Sequence, residues 1–158
     1  MRIAHRALVP LAAAALLATA AVPAAAASSG NGPELAAARA ATVKYHDIDT
    51  ALADGYALGS ECVPGMGYHY VRGVADGQEG LDPLAPEILV YAPRPNGGLR
   101  LVAVEYASWT PAELYGQQFD PPTAPFGPPF YTLHAWVWQG NPDGVFTPFN
   151  PNISCPAH

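Results

Sequence analysis

After Cys62, glycine and proline cut the chain into short apolar segments. That punctuation excludes a fold built mainly from long helices. The 158-residue chain carries 18 prolines and 15 glycines. Between them stand four runs rich in aromatic and β-branched residues: Tyr68 to Val71, Glu87 to Tyr91, Leu99 to Ala107 and Tyr131 to Trp138. Each is bounded by turn formers and reads as a strand. Asn96-Gly97-Gly98 predicts a tight hairpin between the second and third. Asn141-Pro142-Asp143-Gly144 predicts another turn, leading into a short strand at Val145-Phe146. Residues 119–130 hold five prolines and can be neither regular helix nor central strand. They read as an extended connection, partly polyproline II, that either packs Phe126 and Phe130 on the domain or walls a pocket.

Before Cys62 the pattern is helical. Leu35, Ala38, Ala41, Tyr45, Ile48 and Leu52 recur at spacings of three and four, forming one apolar stripe. Pro33 suits a first helical position, and Asp54-Gly55 supplies a stop. The spacing predicts one helix over 34–54. Asp47 and Asp49 suit a cap or a pairing with Lys44, and His46 faces solvent. The expected fold is α+β: an N-terminal helix packs its stripe on an antiparallel sheet that can curl toward a barrel.

Earlier still, Arg2 and Arg6 precede an uncharged apolar run from Leu8 to Ala21, and Ala25-Ala26-Ala27 closes it. That order predicts a secretory signal peptide over residues 1–27. The run of 14 residues falls short of the ~18 to 20 that a membrane-spanning helix needs. Removing residues 1–27 from the 158 leaves 131, enough for one secreted domain over residues 28–158. Two of the seven basic residues leave with the leader and all 13 acidic ones stay, so the formal charge moves from −6 to −8. Such a surface disfavours nucleic acid and anionic lipid as partners and admits cations. Cys62 and Cys155 are the only cysteines. In an exported chain they are expected to form a disulfide, and they lack the C-x-x-C spacing of a thiolate metal site.

Three residues stand out as candidate metal ligands. His69 follows two glycines in Gly65-Met66-Gly67-Tyr68-His69-Tyr70, where glycine permits unusual backbone angles or a close approach. Its side chain takes one face of the strand, and Tyr68 and Tyr70 take the other. Glu105 lies in Leu101-Val102-Ala103-Val104-Glu105-Tyr106, apolar on both faces and therefore buried, on the face of Leu101 and Ala103. A buried carboxylate needs a partner: Arg72, Arg100, a histidine or a metal. Alternation sets Thr132, His134, Trp136 and Trp138 on one face of the last strand.

Two imidazoles and one carboxylate from separate strands can hold one divalent transition metal and leave positions open. Zinc, iron, manganese and copper all suit that donor set, and Met66 is either a soft ligand for copper or a core residue. Tyr68, Tyr70, Trp136 and Trp138 would shape a ligand pocket around the trio, for a ring-bearing or sugar ligand. There is no H-E-x-x-H or H-x-H, no nucleophile elbow, no phosphate loop and no dinucleotide fingerprint. Three functions remain: a binding protein for a small molecule or metal ion, an enzyme using the same trio with or without a metal, and a structural or interaction protein in which each of the three is satisfied separately.

Several segments carry a resemblance. They are Ala41-Thr42 with Tyr45-His46-Asp47, the Gly65 to Tyr70 segment, Val104-Glu105-Tyr106, Leu133 to Trp138, Asn141 to Gly144, and the closing Asn150-Pro151-Asn152-Ile153-Ser154-Cys155. Together they resemble a group of short, exported, hypothetical bacterial proteins, and the alanine-rich leader is similar to those of high-GC actinobacteria. The likeness covers most of residues 28–158. It implies export and a bacterial source, and it supplies no reaction, cofactor or site role.

Overall fold

The computed structural model describes residues 31–156. The expected signal peptide over 1–27 lies outside the described residues. Helix α1 (Gly32–Thr42) has Asn31 at its cap and Pro33 in its first turn. A 3-10 turn over Val43–His46 follows, and helix α2 (Ile48–Ala53) starts after Asp47. The continuous helix expected over 34–54 is therefore broken. At the break, the Tyr45 carbonyl accepts the buried Tyr91 hydroxyl at 2.6 Å. Asp47 is extended, and its side chain accepts from the Asp49 amide at 3.0 Å, capping a new helix. The break rotates α2, so Ala51 is buried where Leu52 was expected, and Leu52 is 48% exposed. Nor is the helix N-terminal, since it begins at Gly32. Lys44 pairs with Asp54 rather than with Asp47 or Asp49.

The strands are β1 (Ala57–Leu58), β2 (Tyr68–Val71), β3 (Ile88–Pro93), β4 (Leu99–Ser108), β5 (Glu113–Leu114), β6 (Gln117–Gln118) and β7 (Tyr131–Ala135). Five form one antiparallel sheet in the order β1-β2-β3-β4-β7, and β5 and β6 make a separate hairpin. Strands β1 and β7 are not paired with each other, so the sheet stays open and does not close into a barrel. The β3–β4 turn falls at the expected glycines, closed by a bond from the Arg94 amide to the Gly98 carbonyl at 3.0 Å. Strand β7 stops at Ala135, where the Val137 amide turns back to the Ala135 carbonyl. Val145-Phe146 is a turn rather than a strand. Among the described residues, no helix is long and apolar enough to cross a membrane.

The two faces of the sheet pack differently. One meets the helices, where Leu89, Tyr91, Val104, Tyr106 and Leu133 join Tyr45, Ala51 and Tyr56. Buried phenols need acceptors. The loop between β2 and β3 supplies them, since the Tyr106 and Tyr56 hydroxyls donate to the Pro83 and Pro86 carbonyls at 2.7 and 2.6 Å. On the other face, Val90, Ala92, Ala103 and Trp136 pack with Ile153 of the C-terminal segment. The Cys62–Cys155 disulfide ties that segment down, as the cysteine count implied. Two backbone bonds, from Asn150 to Gly65 at 2.8 Å and from Gly65 to Ile153 at 3.2 Å, stitch it to the loop before β2.

That loop depends on Gly67. Its φ is 113°, and a Cβ placed there would stand 2.4 Å from the Tyr91 carbonyl oxygen. Gly67→Ala is expected to destabilise the protein by about 2–4 kcal/mol, through strain and a backbone clash together. The midpoint of urea unfolding measures this. A loss under ~1 kcal/mol would show that the loop and β3 yield easily.

Candidate metal centre

Strand register builds the centre. Val71 pairs with Ile88, Ile88 with Glu105, and Glu105 with His134, so these side chains share a face. His69 lies two residues before Val71 and projects the same way. This face is the one turned away from the helices. A β-bulge at Val90/Tyr91 gives β4 one extra residue there. It moves Leu101 to the helix side, while Ala103 stays on the Glu105 side. Glu105 therefore shares its face with Ala103 but not, as expected, with Leu101.

His69 Nε2 stands 3.6 Å from Glu105 Oε2, and His134 Nδ1 stands 3.3 Å from Glu105 Oε1. One ligand atom from each residue lies within 4.8 Å of the other two, so the group could hold a metal ion. The Ser60 hydroxyl bonds to His69 Nδ1 at 2.9 Å, which leaves Nε2 aimed at Glu105. Trp136 stacks on the His134 ring, and its indole N–H donates to the Thr147 carbonyl at 2.7 Å.

Burial sets the electrostatics. His134 is 2% exposed and Glu105 3%. Glu105 Oε2 and both His134 ring nitrogens are buried without a hydrogen-bond partner among the described residues. The two arginines expected as partners are engaged elsewhere: Arg72 lies over the Tyr56 ring, and Arg100 donates to Gln139 at 2.6 Å. A buried unpaired polar atom costs about 1–3 kcal/mol, and a cation would satisfy Glu105 Oε2 together with one ring nitrogen of His134, leaving the other nitrogen as an N–H donor. Desolvation pushes the Glu105 carboxyl up to about 8 and pulls His69 down to about 4 and His134 to about 3. At neutral pH the close N···O pairs are therefore contacts between neutral groups rather than ion pairs. Both imidazoles keep lone pairs available, and a bound cation would expel the Glu105 proton.

These shifts give the metal-free protein a characteristic pH dependence. The folded state holds the Glu105 proton up to about pH 8, whereas an unfolded glutamate loses it near 4.5, so this contribution is complete below pH 4.5 and is lost on the way to pH 8. The histidines act oppositely: their contribution grows from about pH 3 and is complete above the unfolded value of 6.5. Stability in EDTA is therefore expected to peak near pH 6.5 and then fall by at most ~1.4 kcal/mol per pH unit. Glu105→Gln removes the falling limb. Unfolding curves across pH 5 to 9 check this; the same fall in the glutamine variant would mean that another group causes it.

All three side chains line a cavity of about 870 Å³. Val71 and Ile88 of the sheet, Met66 of the loop before β2, and Pro148 and Phe149 of the C-terminal segment form much of its wall. The proline-rich connection supplies the rest, anchored to β7 by paired Asp120–Thr132 backbone bonds of 2.7 and 3.0 Å. The connection shows something of both expected roles: it walls the cavity, and Phe130 packs edge-on against Trp109 with ring centroids 5.6 Å apart. Phe126 borders the cavity yet is 99% exposed, so it does not pack on the domain. Asp120 and Ser60 also line the cavity, and nothing local in the sequence marks either one.

The expected aromatic pocket is placed differently. Tyr68 and Tyr70 take the opposite side of β2 from His69, and Tyr70 meets Tyr91 on the helix side. Trp138 lies past the end of β7, so strand alternation does not reach it. Its ring meets His46 at 4.2 Å and Arg39 at 4.5 Å, and its N–H donates to Thr42. Tyr68, Tyr70 and Trp138 do not line the cavity, and Trp136 reaches the centre only through its stack on His134. The cavity's aromatic side chains are Phe126, Phe130 and Phe149 instead.

No protein-family model, curated protein or solved structure matches the chain. Its functional reading therefore comes from its own residues.

Proposed function

We propose that the chain is an exported protein that carries one divalent transition-metal ion on His69, Glu105 and His134, with the remaining coordination positions open to the cavity. The observation that carries this reading is the adjacency of buried, unpaired donor atoms: Glu105 Oε2 and the His134 imidazole, whose Nδ1 stands 3.3 Å from the same carboxylate. Residues with a purely structural role would each be paired elsewhere. Two imidazoles and one carboxylate suit zinc, iron(II), manganese or copper(II), and three protein ligands with an open position mark catalytic rather than structural zinc sites. Such an ion, when bound, supplies Lewis acidity and lowers the pKa of a coordinated water. Ser60 would orient His69, the Trp136 indole would shield His134, and the apolar wall would limit water. The disulfide and the leader pattern support an oxidising, extracytoplasmic location.

The test is elemental mass spectrometry on untagged protein recovered from a bacterial periplasm. Near one equivalent of a single transition metal, removable by a chelator, is the expected result. No metal as purified, and none after exposure to zinc, copper, iron and manganese, overturns the reading. A second reading, acid–base catalysis without a metal, draws on the Glu105 carboxyl raised to about 8 within 3.6 Å of neutral imidazoles. The metal-free outcome would favour it.

A further inference from the structure

We infer that the cavity takes an apolar small molecule with one terminal oxygen donor, seated with that oxygen toward His69, Glu105 and His134. The orientation rests on the metal reading above; the apolar character does not. A volume of about 870 Å³ lies within the size range of small-molecule pockets. Val63, Met66, Val71, Ile88 and Phe130 give it hydrocarbon walls. Among the described residues, no lysine or arginine lines it, so no side chain there would balance a phosphate or a multiply charged anion. Beyond the trio, the polar side chains in the lining are Ser60, Asp120, Thr123 and Thr132. That is too few to pair the many hydroxyls of a sugar, each of which is costly to bury unpaired.

Three of these four polar side chains sit beside the trio, and only Thr123 stands apart on the proline-rich connection. Ser60 is bonded to His69, Thr132 shares the face of His134 two residues away, and Asp120 is backbone-paired with Thr132. A ligand with one polar end and an apolar body matches that division. Phe126 at the rim carries a fully exposed ring that such a body would cover.

The test uses 1-N-phenylnaphthylamine, a neutral fluorescent probe, titrated into the full protein with EDTA or with zinc. One-site saturable enhancement is expected in both forms, displaced by 4-phenylphenol and biphenyl but not by glucose. Zinc is expected to tighten 4-phenylphenol about fivefold or more, and to leave biphenyl within about twofold, because only the former offers the ion an oxygen. Phe126→Ala is expected to weaken the probe about tenfold without moving Tm, since the ring makes little contact in the free protein. Absence of saturable enhancement in both forms overturns the inference, as does displacement by glucose. Bound zinc that shifts both compounds equally overturns the orientation. Saturable probe binding without any zinc uptake upholds the apolar occupant and defeats the metal reading instead.

Discussion

Replacing His69 and His134 together with alanine is expected to abolish metal binding and leave the fold standing. Structural zinc sites bind with about 10–16 kcal/mol over four ligands, or roughly 3 kcal/mol each. Losing two ligands should therefore raise Kd about 10⁴-fold, and bound metal should fall from near one equivalent to below about a tenth. Stability should change less than in an ordinary large-to-alanine core deletion. The change removes two unpaired nitrogens of His134 along with its packing, so the metal-free variant should unfold within about 1–2 kcal/mol of the parent. With zinc at 100 times its Kd, the parent should gain about 2.7 kcal/mol and the variant nothing. Unchanged stoichiometry in a folded variant would refute the site.

The second large effect concerns the disulfide. Cys62→Ser with Cys155→Ser, or reduction of the parent, is expected to cost about 2–5 kcal/mol, because the bond constrains an unfolded loop spanning 93 residues. Among the described residues, the segment it secures has no helix or strand after Ala135. Buried Asn150, which donates to the Gly140 carbonyl at 3.2 Å, and Ile153 in the second apolar cluster hold it otherwise. The segment also brings Pro148 and Phe149 to the cavity, so the probe described above should bind the disulfide-free form more weakly. Urea unfolding, with the slope fitted separately for each form because the released chain unfolds to a more expanded state, reads the stability loss. A shift equivalent to less than ~1 kcal/mol would mean that the non-covalent contacts secure the chain end alone.

Local features of this fold could be read from the chain, and features set by distant contacts could not. Pro33 at the helix start, the bounds of β2 and the glycine hairpin each depend on a few neighbouring residues. The helix break at Asp47 is different: a carbonyl of the 3-10 turn accepts from Tyr91, 46 positions away. The bulge in β4 is silent in periodicity, and it alone decides that Leu101 and Glu105 part company. For the candidate site, alternation gave each of His69, Glu105 and His134 a face of its own strand, and the pairing order and register bring the three together. Alternation failed for Trp138 because β7 ends three residues earlier. For Tyr68 and Tyr70 alternation held: it set them opposite His69, and the cavity opens on the His69 side, so a pocket that joined them to the trio was incompatible with the strand's own pleat.

The central sheet keeps its two duties on alternate residues. Leu89, Val104 and Leu133 belong to the tyrosine-rich core, while their neighbours Ile88, Glu105 and Thr132 face the cavity. Such a scaffold separates tolerance from constraint along every strand. A designer could re-line the chamber at Val71, Ile88 or Thr132 to admit a larger or more polar guest without touching the packing beneath the helices.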